Sequence, residues 1–186
     1  MHVHASNPRG EALVEELKWV HGMIRQDLET VRALAAAVAD GLPGAEAAQT
    51  VRSLQVSGPL WQLKVNCLQY CRFVHMHHHG ESALLFPRLR ESNPALGPVV
   101  DKLESDHAEV SDLLDDVSAA AMTLAADEEA AGEEAAREEA AREEAGARER
   151  LRSALADLSA VLLAHLDYEE EQISDTLRTW TGWDFW

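Results

Sequence analysis

Apolar residues recur at alternating steps of three and four along four segments of the chain, which is the spacing of one buried face of an α-helix. The segments span residues 11–40, 59–87, 99–124 and 151–177. Glycine and proline residues, which break helices, separate the first three segments. The pattern predicts an all-α fold, an up-down-up-down antiparallel four-helix bundle.

Polar residues interrupt each apolar face at one or two positions. These residues are His21, His77, Glu81, His107, His165 and Glu169. Measured from one common end of an antiparallel bundle, they all lie roughly 15–20 Å along the helix axes, at a rise of about 1.5 Å per residue. Polar groups gathered at one level of an apolar core are costly to bury alone. Bound cations would satisfy them, so the sequence predicts a metal site in the core.

The spacing and the chemistry of these residues predict a dinuclear site. His77 and Glu81 are four residues apart, and so are His165 and Glu169, so each pair projects from one helix face on successive turns. Imidazoles and carboxylates together suit non-haem iron or manganese, with zinc as a substitute. Because each of the two carboxylates can bridge a pair of cations, two metal ions are expected rather than one.

Several histidines cluster in the second segment, and helical geometry points them in different directions. His75 and His79 lie about 160° from the inner face and are expected to face solvent. His78 lies about 60° off that face and remains an alternative to His77. We prefer His77 because its four-residue step to Glu81 is repeated in the fourth segment.

The same inner face carries Tyr70 two turns before His77. Tyr70 is either a core aromatic residue, a hydrogen-bonding partner of a ligand, or an extra ligand. Pro87 is expected to end or kink this helix, because proline lacks the backbone N–H group. The inner face of the second segment reads Leu60, Leu63, Cys67, Tyr70, Val74, His77, Glu81 and Leu84.

The amino-acid composition favours helices over strands. Changes in composition along the chain also predict where its tails, domain and insert lie. Aromatic residues make up only 5% of the chain, and alanine and leucine, which dominate, favour helix over strand. Residues 1–10 are predicted to form a flexible tail, and residues 11–186 the bundle domain. Within that domain, 127–150 is predicted to be an acidic, partly helical insert, exposed because alanine is its only apolar residue type. Residues 178–186 form a tryptophan-rich tail that is expected to pack over one end of the bundle.

Charge and cysteine content limit the expected partners. The formal net charge of −17 argues against nucleic acid, because phosphate backbones require basic patches. Without a secretory signal or an apolar run long enough to span a bilayer, a cytoplasmic protein without membrane contact is expected. Cys67 and Cys71 are then expected to be reduced core residues. Whether the chain is a monomer or a homodimer stays open.

The order of these motifs resembles hemerythrin-like proteins of the HHE cation-binding type. The resemblance rests on His21, on HHHGESALLFP at 77–87, on Asp-His at 106–107 and on HLDYE at 165–169. It covers residues 11–177 apart from the acidic insert.

The resemblance implies a non-haem di-iron centre with an oxo- or hydroxo-type bridge. By position, the implied ligands are His21 and His77 for one iron, His107 and His165 for the other, and Glu81 and Glu169 as bridges.

Two positions depart from the oxygen-carrying hemerythrins. Ser111 stands where they have a second histidine in the third helix, and Glu170 stands where they have an aspartate ligand in the fourth. Glu170 lies about 100° off the inner face, so Glu169 is the expected ligand. One iron would then lack a histidine, which predicts a more open coordination shell.

The resemblance and the open site imply a protein that binds O2 or a related small ligand, peroxide or NO, for sensing, storage or detoxification. An alternative is a di-iron oxidase or a catalase-like enzyme that uses the open position. A third hypothesis is a metal-free helical adaptor that acts through its acidic insert and tryptophan tail. A ferritin-like site is disfavoured, because it needs Glu-x-x-His on two helices and only Glu104-x-x-His107 fits.

Overall fold

The four apolar segments form long helices in a computed structural model of the chain, which describes residues 7–39, 59–126 and 134–181. No strand occurs within these ranges, and the predicted all-α fold class is confirmed. The elements in chain order are α1 (Pro8–Ala39), α2 (Pro59–Gly80), a π-helical turn (Glu81–Leu85), α3 (Phe86–Ser92), a 3-10 turn (Pro94–Leu96), α4 (Gly97–Ala126) and α5 (Glu134–Leu177).

The long helices pack as a ring, in which α1 and α4 each contact both α2 and α5. Their inner faces form two apolar clusters. The main cluster contains Ile24, Leu28, Val31, Ala35, Cys67, Tyr70, Cys71, Val74, Val110, Leu114, Val117, Ala120, Ala121, Ala147, Leu151, Leu155, Leu158, Leu162 and Leu166. The end cluster contains Leu13, Val14, Leu17, Leu85, Phe86, Leu89, Val100, Leu103, Ile173, Leu177 and Trp180.

The chain order of the two clusters establishes the direction of each helix. Along α1 and α4, residues of the end cluster precede those of the main cluster, whereas the order is reversed along α5 and along α2 with its continuation into α3. Neighbouring helices therefore run antiparallel, as the up-down-up-down topology requires. The two clusters leave a level between them, and the histidines and glutamates of the sequence pattern occupy it.

The π-helical turn shifts the inner face of the second helix by one residue. The N–H of Phe86 bonds to the carbonyl of Glu81, five residues back. Pro87 follows, and since its ring clashes with the carbonyl four residues earlier, a wider turn relieves that contact. As a result Leu84 is 45% exposed and Leu85 is buried. The prediction of Leu84 as an inner-face residue is wrong for this reason.

The two ends of the described chain meet over the end cluster. The Nδ2 group of Asn7 donates a hydrogen bond to the carbonyl of Trp180 (2.6 Å), and Arg9 donates one to the carbonyl of Thr181 (3.1 Å). Trp180 is buried here, and its Nε1 donates to Ser92 Oγ (3.1 Å). Helix α1 thus begins at Pro8, three residues before the predicted start. Residues 1–6 and 182–186, with the other aromatic residues of the tail, lie outside the described residues.

The acidic insert is helical where it is described. Residues 134–150 continue directly into the fourth bundle helix as one element, α5. Ala147 is fully buried in the main cluster, so alanine does contribute to the core at the end of the insert, contrary to the expectation of an entirely exposed segment. Residues 127–133 lie outside the described part. Within the described ranges, no helix combines the length and the apolar character that a membrane crossing requires.

Gly10 is predicted to be required for the contact between the chain ends. A Cβ atom at this position would overlap the backbone carbonyl of Arg178. We expect Gly10→Ala to lower the free energy of unfolding by about 1–3 kcal/mol, because backbone must move to make room. Gly22 of α1 is exposed with open space around it, and Gly22→Ala should raise the free energy by about 0.5–1 kcal/mol through helix propensity. Urea unfolding measures both, and equal effects of the two substitutions would contradict the prediction.

Candidate metal centre

One level of the core contains imidazoles and carboxylates in place of apolar side chains. All of these residues are buried except His77, whose side chain is 12% exposed. They come from all four long helices and from the start of the π-helical turn. They are His21, His77, His78, Glu81, His107, His165 and Glu169.

The first group of ligands consists of His78, His107 and His165. One ring nitrogen from each lies within 4.8 Å of the others. The rings of His78 and His107 stack with centroids 4.0 Å apart, and the ring of His165 meets that of His107 edge-on at 4.8 Å. Phe86 stacks on the outer face of this arrangement, with its ring centroid 5.0 Å from that of His107. Three imidazoles from three helices can therefore share one cation.

The second group consists of His21, His77 and Glu81, whose ligand atoms also lie within 4.8 Å of one another. His77 Nε2 is 3.2 Å from Glu81 Oε1, and His21 Nε2 is 3.9 Å from the same oxygen. The predicted four-residue step between His77 and Glu81 thus places both side chains at one point. Two imidazoles and one carboxylate can share a second cation there.

Two carboxylates link the groups. Glu81 Oε2 lies 3.5 Å from His107 Nε2, so the two oxygens of Glu81 face different groups. Glu169 Oε2 lies 3.4 Å from His21 Nε2 and 3.9 Å from His165 Nε2. Each glutamate therefore reaches residues of both groups, which is the arrangement that a bridge between two cations requires.

The ligand atoms have no hydrogen-bond partners among the described residues. This holds for the Nε2 atom of every histidine in the two groups and for both oxygens of Glu81 and of Glu169. Buried polar atoms are almost always hydrogen-bonded, and leaving one without a partner costs about 1–3 kcal/mol. Because so many such atoms point to one place, the residues fit cations better than any other occupant.

The pKa values of two of these residues reflect the concentration of charge. Burial lowers the pKa of His21, but the carboxylates of Glu169 and Glu81 outweigh it and raise the pKa to about 10. Burial, together with repulsion from Glu169, raises the pKa of Glu81 to about 8. A cation that binds here therefore competes with protons.

The core environment favours the neutral form of the other four histidines of the two groups. Burial lowers the pKa of His77 and of His107 to about 3, with a further contribution from neighbouring imidazoles. Burial also lowers the pKa of His78 and of His165. Neutral imidazole is the form that binds a metal ion, so the core environment keeps these side chains ready as ligands.

Glu170 binds the Nδ1 side of the His21 ring, the side that faces away from the second group. The Nδ1 group of His21 donates a hydrogen bond to Glu170 Oε1 (2.9 Å), and Arg25 donates to the same oxygen (2.8 Å). Arg25 also donates to Asp167 (2.7 Å). With Nδ1 held by Glu170, the Nε2 atom of His21 faces the second group, where a metal ion would replace its proton. Glu170 therefore positions a ligand, while its neighbour Glu169 faces the centre, as the sequence predicted.

One ring of the first group, that of His107, is supported in a similar way. A hydrogen bond of 2.9 Å joins Ser82 Oγ and His107 Nδ1. Asp106 lies 3.7 Å from His165 Nδ1 and is itself bound by Lys102 at 2.5 Å. Ser82 belongs to the π-helical turn, so the local widening of the helix also places a partner for a histidine of another helix.

His78 is the residue that sequence reasoning placed second and that the structure brings into the core. The sequence favours His77 and keeps His78 as the alternative, whereas the structure brings both to the centre, because the inner face of α2 falls between them. His78 also adds an imidazole to the group of His107 and His165, where Ser111 suggested that one was missing. The adjacent histidines at positions 77 and 78, close to Glu81, were the feature of the sequence that could have indicated this arrangement.

The remaining candidates lie elsewhere. His79 is exposed and His75 is 37% exposed, 3.6 Å from Asp115 on the surface, as the helical geometry indicated. Tyr70 is buried in the main cluster, and its hydroxyl has no hydrogen-bond partner within the described ranges. Its role as a ligand stays a prediction.

A four-helix bundle with two clustered sets of imidazole and carboxylate ligands in its core defines a metal-binding bundle protein. The chain matches the Hemerythrin HHE cation binding domain over residues 12–177 and belongs to this family. The resemblance seen in the sequence is thereby confirmed. No curated protein and no solved structure gives a significant match to the chain. The protein is a cation-binding, hemerythrin-like protein whose buried histidine and glutamate groups could hold the metal.

The support of His21 by Glu170 is testable. We expect Glu170→Ala to weaken metal binding about 10–100-fold, because loss of such a partner frees the ligand ring. Glu171→Ala is the matched control, since Glu171 is exposed on the same helix. Competition with a chromophoric chelator measures both affinities. Equal affinities of the two variants would show that Glu170 does not position a ligand.

Proposed function

We propose that the protein is a non-haem di-iron protein that binds O2 or a related small ligand, peroxide or NO, for sensing, storage or detoxification. The observation that carries this proposal is the pair of ligand groups joined by Glu81 and Glu169. Two groups within one centre suit two ions, and carboxylates that reach both groups suit a bridge.

The donor atoms favour iron. The centre combines neutral imidazole with carboxylate, a set suited to iron, with manganese and zinc as substitutes. Both thiols of the described chain, those of Cys67 and Cys71, are buried in the main cluster instead. Burial raises the pKa of Cys67 to about 12, so this thiol stays protonated and is a poor ligand.

The two ions would differ in their protein ligands. The first would be held by three imidazoles and the second by His21 and His77, with Glu81 and Glu169 shared between them. The second ion therefore has fewer protein ligands and more room for an exogenous ligand. His77 is also the one partly exposed residue of the centre, so a small molecule would arrive on this side.

The apolar core on either side of the centre sets the environment of such a ligand. The main cluster lies on one side of the centre and the end cluster on the other. Both exclude water, which strengthens electrostatic interactions within the site and limits proton entry. An iron pair supplies reversible electron transfer to O2, peroxide or NO when bound. The chain's own contribution is to orient the imidazoles and to keep the surroundings dry.

Iron reconstitution tests the proposal. Anaerobic addition of ferrous iron should load one ion for each of the two ligand groups. The oxidised protein should show ligand-to-metal absorption bands that shift with azide, because azide enters the open position. His78→Ala should reduce iron uptake and weaken these bands by removing an imidazole of the first group. His79→Ala, the exposed neighbour, is the matched control and should behave as the unmodified protein.

Two results would overturn the di-iron proposal. One is iron uptake well below a pair of ions per chain with no azide-dependent band. The other is identical behaviour of His78→Ala and His79→Ala. A centre that loads manganese or zinc and never iron would retain the cation site but exclude this function.

Peroxide turnover is a second candidate function, favoured by the smaller number of protein ligands on the His21 side. Here the protein would be a di-iron oxidase or a catalase-like enzyme. In the catalase-like case two peroxide molecules give one O2 and two waters, so oxygen evolution measures it directly. We expect His107→Ala to abolish that evolution. Equal rates in both proteins would attribute the reaction to loosely bound iron and remove this candidate.

A further inference from the structure

An apolar groove runs along the surface between α1 and the end of α2. Its volume is about 580 Å³. The described residues include five large apolar side chains that are exposed to solvent, and four of them line this groove. Those four are Trp19, Phe73, Met76 and Leu84. Such a concentration of exposed apolar side chains marks a binding surface.

The groove ends at the metal centre. His77 and Glu81 form part of its lining. Both contribute atoms that lack hydrogen-bond partners among the described residues, His77 through Nε2 and Glu81 through both oxygens. The inner end of the groove thus lies against the second ligand group, the side with fewer protein ligands.

Two local features keep the groove open. Gly80 lies in its wall, and a Cβ atom there would meet nothing within 4 Å. The π-helical turn that follows rotates Leu84 out of the core and into the wall. A regular helix with a larger residue at position 80 would fill this space.

The size and polarity of the groove define the ligand. Small-molecule sites typically have volumes of about 300–1,000 Å³ and apolar walls with a few polar groups, whereas a water-sized molecule needs only about 30 Å³. The groove is therefore much larger than O2 or peroxide require. Apart from Glu81, the one charged residue in its lining is Glu16. With a net charge of −17 on the chain, an anion is disfavoured.

We propose that this groove is a binding site for an uncharged, apolar organic molecule whose single polar end, a hydroxyl or carbonyl, lies at His77 and Glu81. A small molecule is the occupant because the polar end of the groove is nearly buried, where a folded partner could not reach. The proposal rests on the proposed function, since the metal centre is what the polar end of the ligand would approach.

Binding of a neutral probe to the metal-free protein tests the groove by itself. Nile red fluorescence should rise on binding, and 1-octanol should displace the dye. Octanoate, which has the same chain length and a negative charge, should displace it about tenfold less well, because its charge is repelled by Glu16 and is costly to bury at the inner end of the groove. Equal displacement by octanol and octanoate would overturn the proposed ligand class.

Paired glycine substitutions locate the site. Gly80→Leu should weaken octanol binding about tenfold or more by filling the groove. Gly80 has helical φ and ψ of −61° and −44°, so the larger residue fits the backbone. Gly22→Leu adds the same side chain at an exposed position of α1 with equally open surroundings and should leave binding unchanged. Equal affinities of these two variants would overturn the site assignment.

A second pair changes polarity instead of volume. Met76→Asp places a charge in the groove wall, and Met122→Asp places one on an exposed methionine of α4 outside it. Only Met76→Asp should weaken octanol binding. If octanol does not bind and Met76→Asp instead dissociates a dimer in solution, the groove is an interface between copies of the chain, and the proposal is wrong.

Iron uptake, measured separately on the same proteins, distinguishes failure of this proposal from failure of the proposed function. Octanol binding without iron uptake leaves the groove established and removes the di-iron function. Iron uptake without octanol binding supports the di-iron function and overturns the groove as a binding site. In iron-loaded protein, octanol should also perturb the azide-dependent bands, and Gly80→Leu should remove that perturbation. An unchanged spectrum would show that bound octanol does not reach the metal centre, which would contradict the proposed position of its polar end.

Discussion

The structure depends on burying a level of charged and polar ligands between two apolar clusters. Apolar packing alone would favour a continuous core, and each unpartnered carboxylate or imidazole works against it. Cations at this level would reverse that cost, because they satisfy every Nε2 atom and carboxylate oxygen that faces the centre. Binding of a cation at this level would therefore also contribute to the stability of the bundle.

The ligands are held by their neighbours as much as by the helices. Glu170 and Arg25 fix one ring of the second group, and Ser82 fixes one ring of the first. Ser82 and Glu81 both belong to the π-helical turn. Pro87 follows the turn and favours its wider geometry, so one proline bears on the position of Glu81, the support of His107 and the exposure of Leu84. Such π-helical turns are often found at functional sites. Here the turn contains Glu81 and Ser82, which both contact histidines of the candidate centre.

The centre is asymmetric, and its asymmetry agrees with the shape of the surface. The first group is enclosed by three imidazoles and Phe86. The second has two imidazoles and borders the groove at His77. An exogenous ligand and an organic molecule would both approach from the same side.

The sequence by itself determined the helices, their antiparallel order and the level of the metal centre. These follow from local periodicity, because the steps of three and four and the four-residue spacing of His165 and Glu169 hold in any regular helix. Only the tertiary structure decided which side of α2 faces inward, and so brought His78 beside His107. It also revealed the role of Glu170, whose carboxylate accepts hydrogen bonds from His21 and Arg25 of another helix. These choices depend on helix rotation and on contacts between distant residues, which no local pattern encodes.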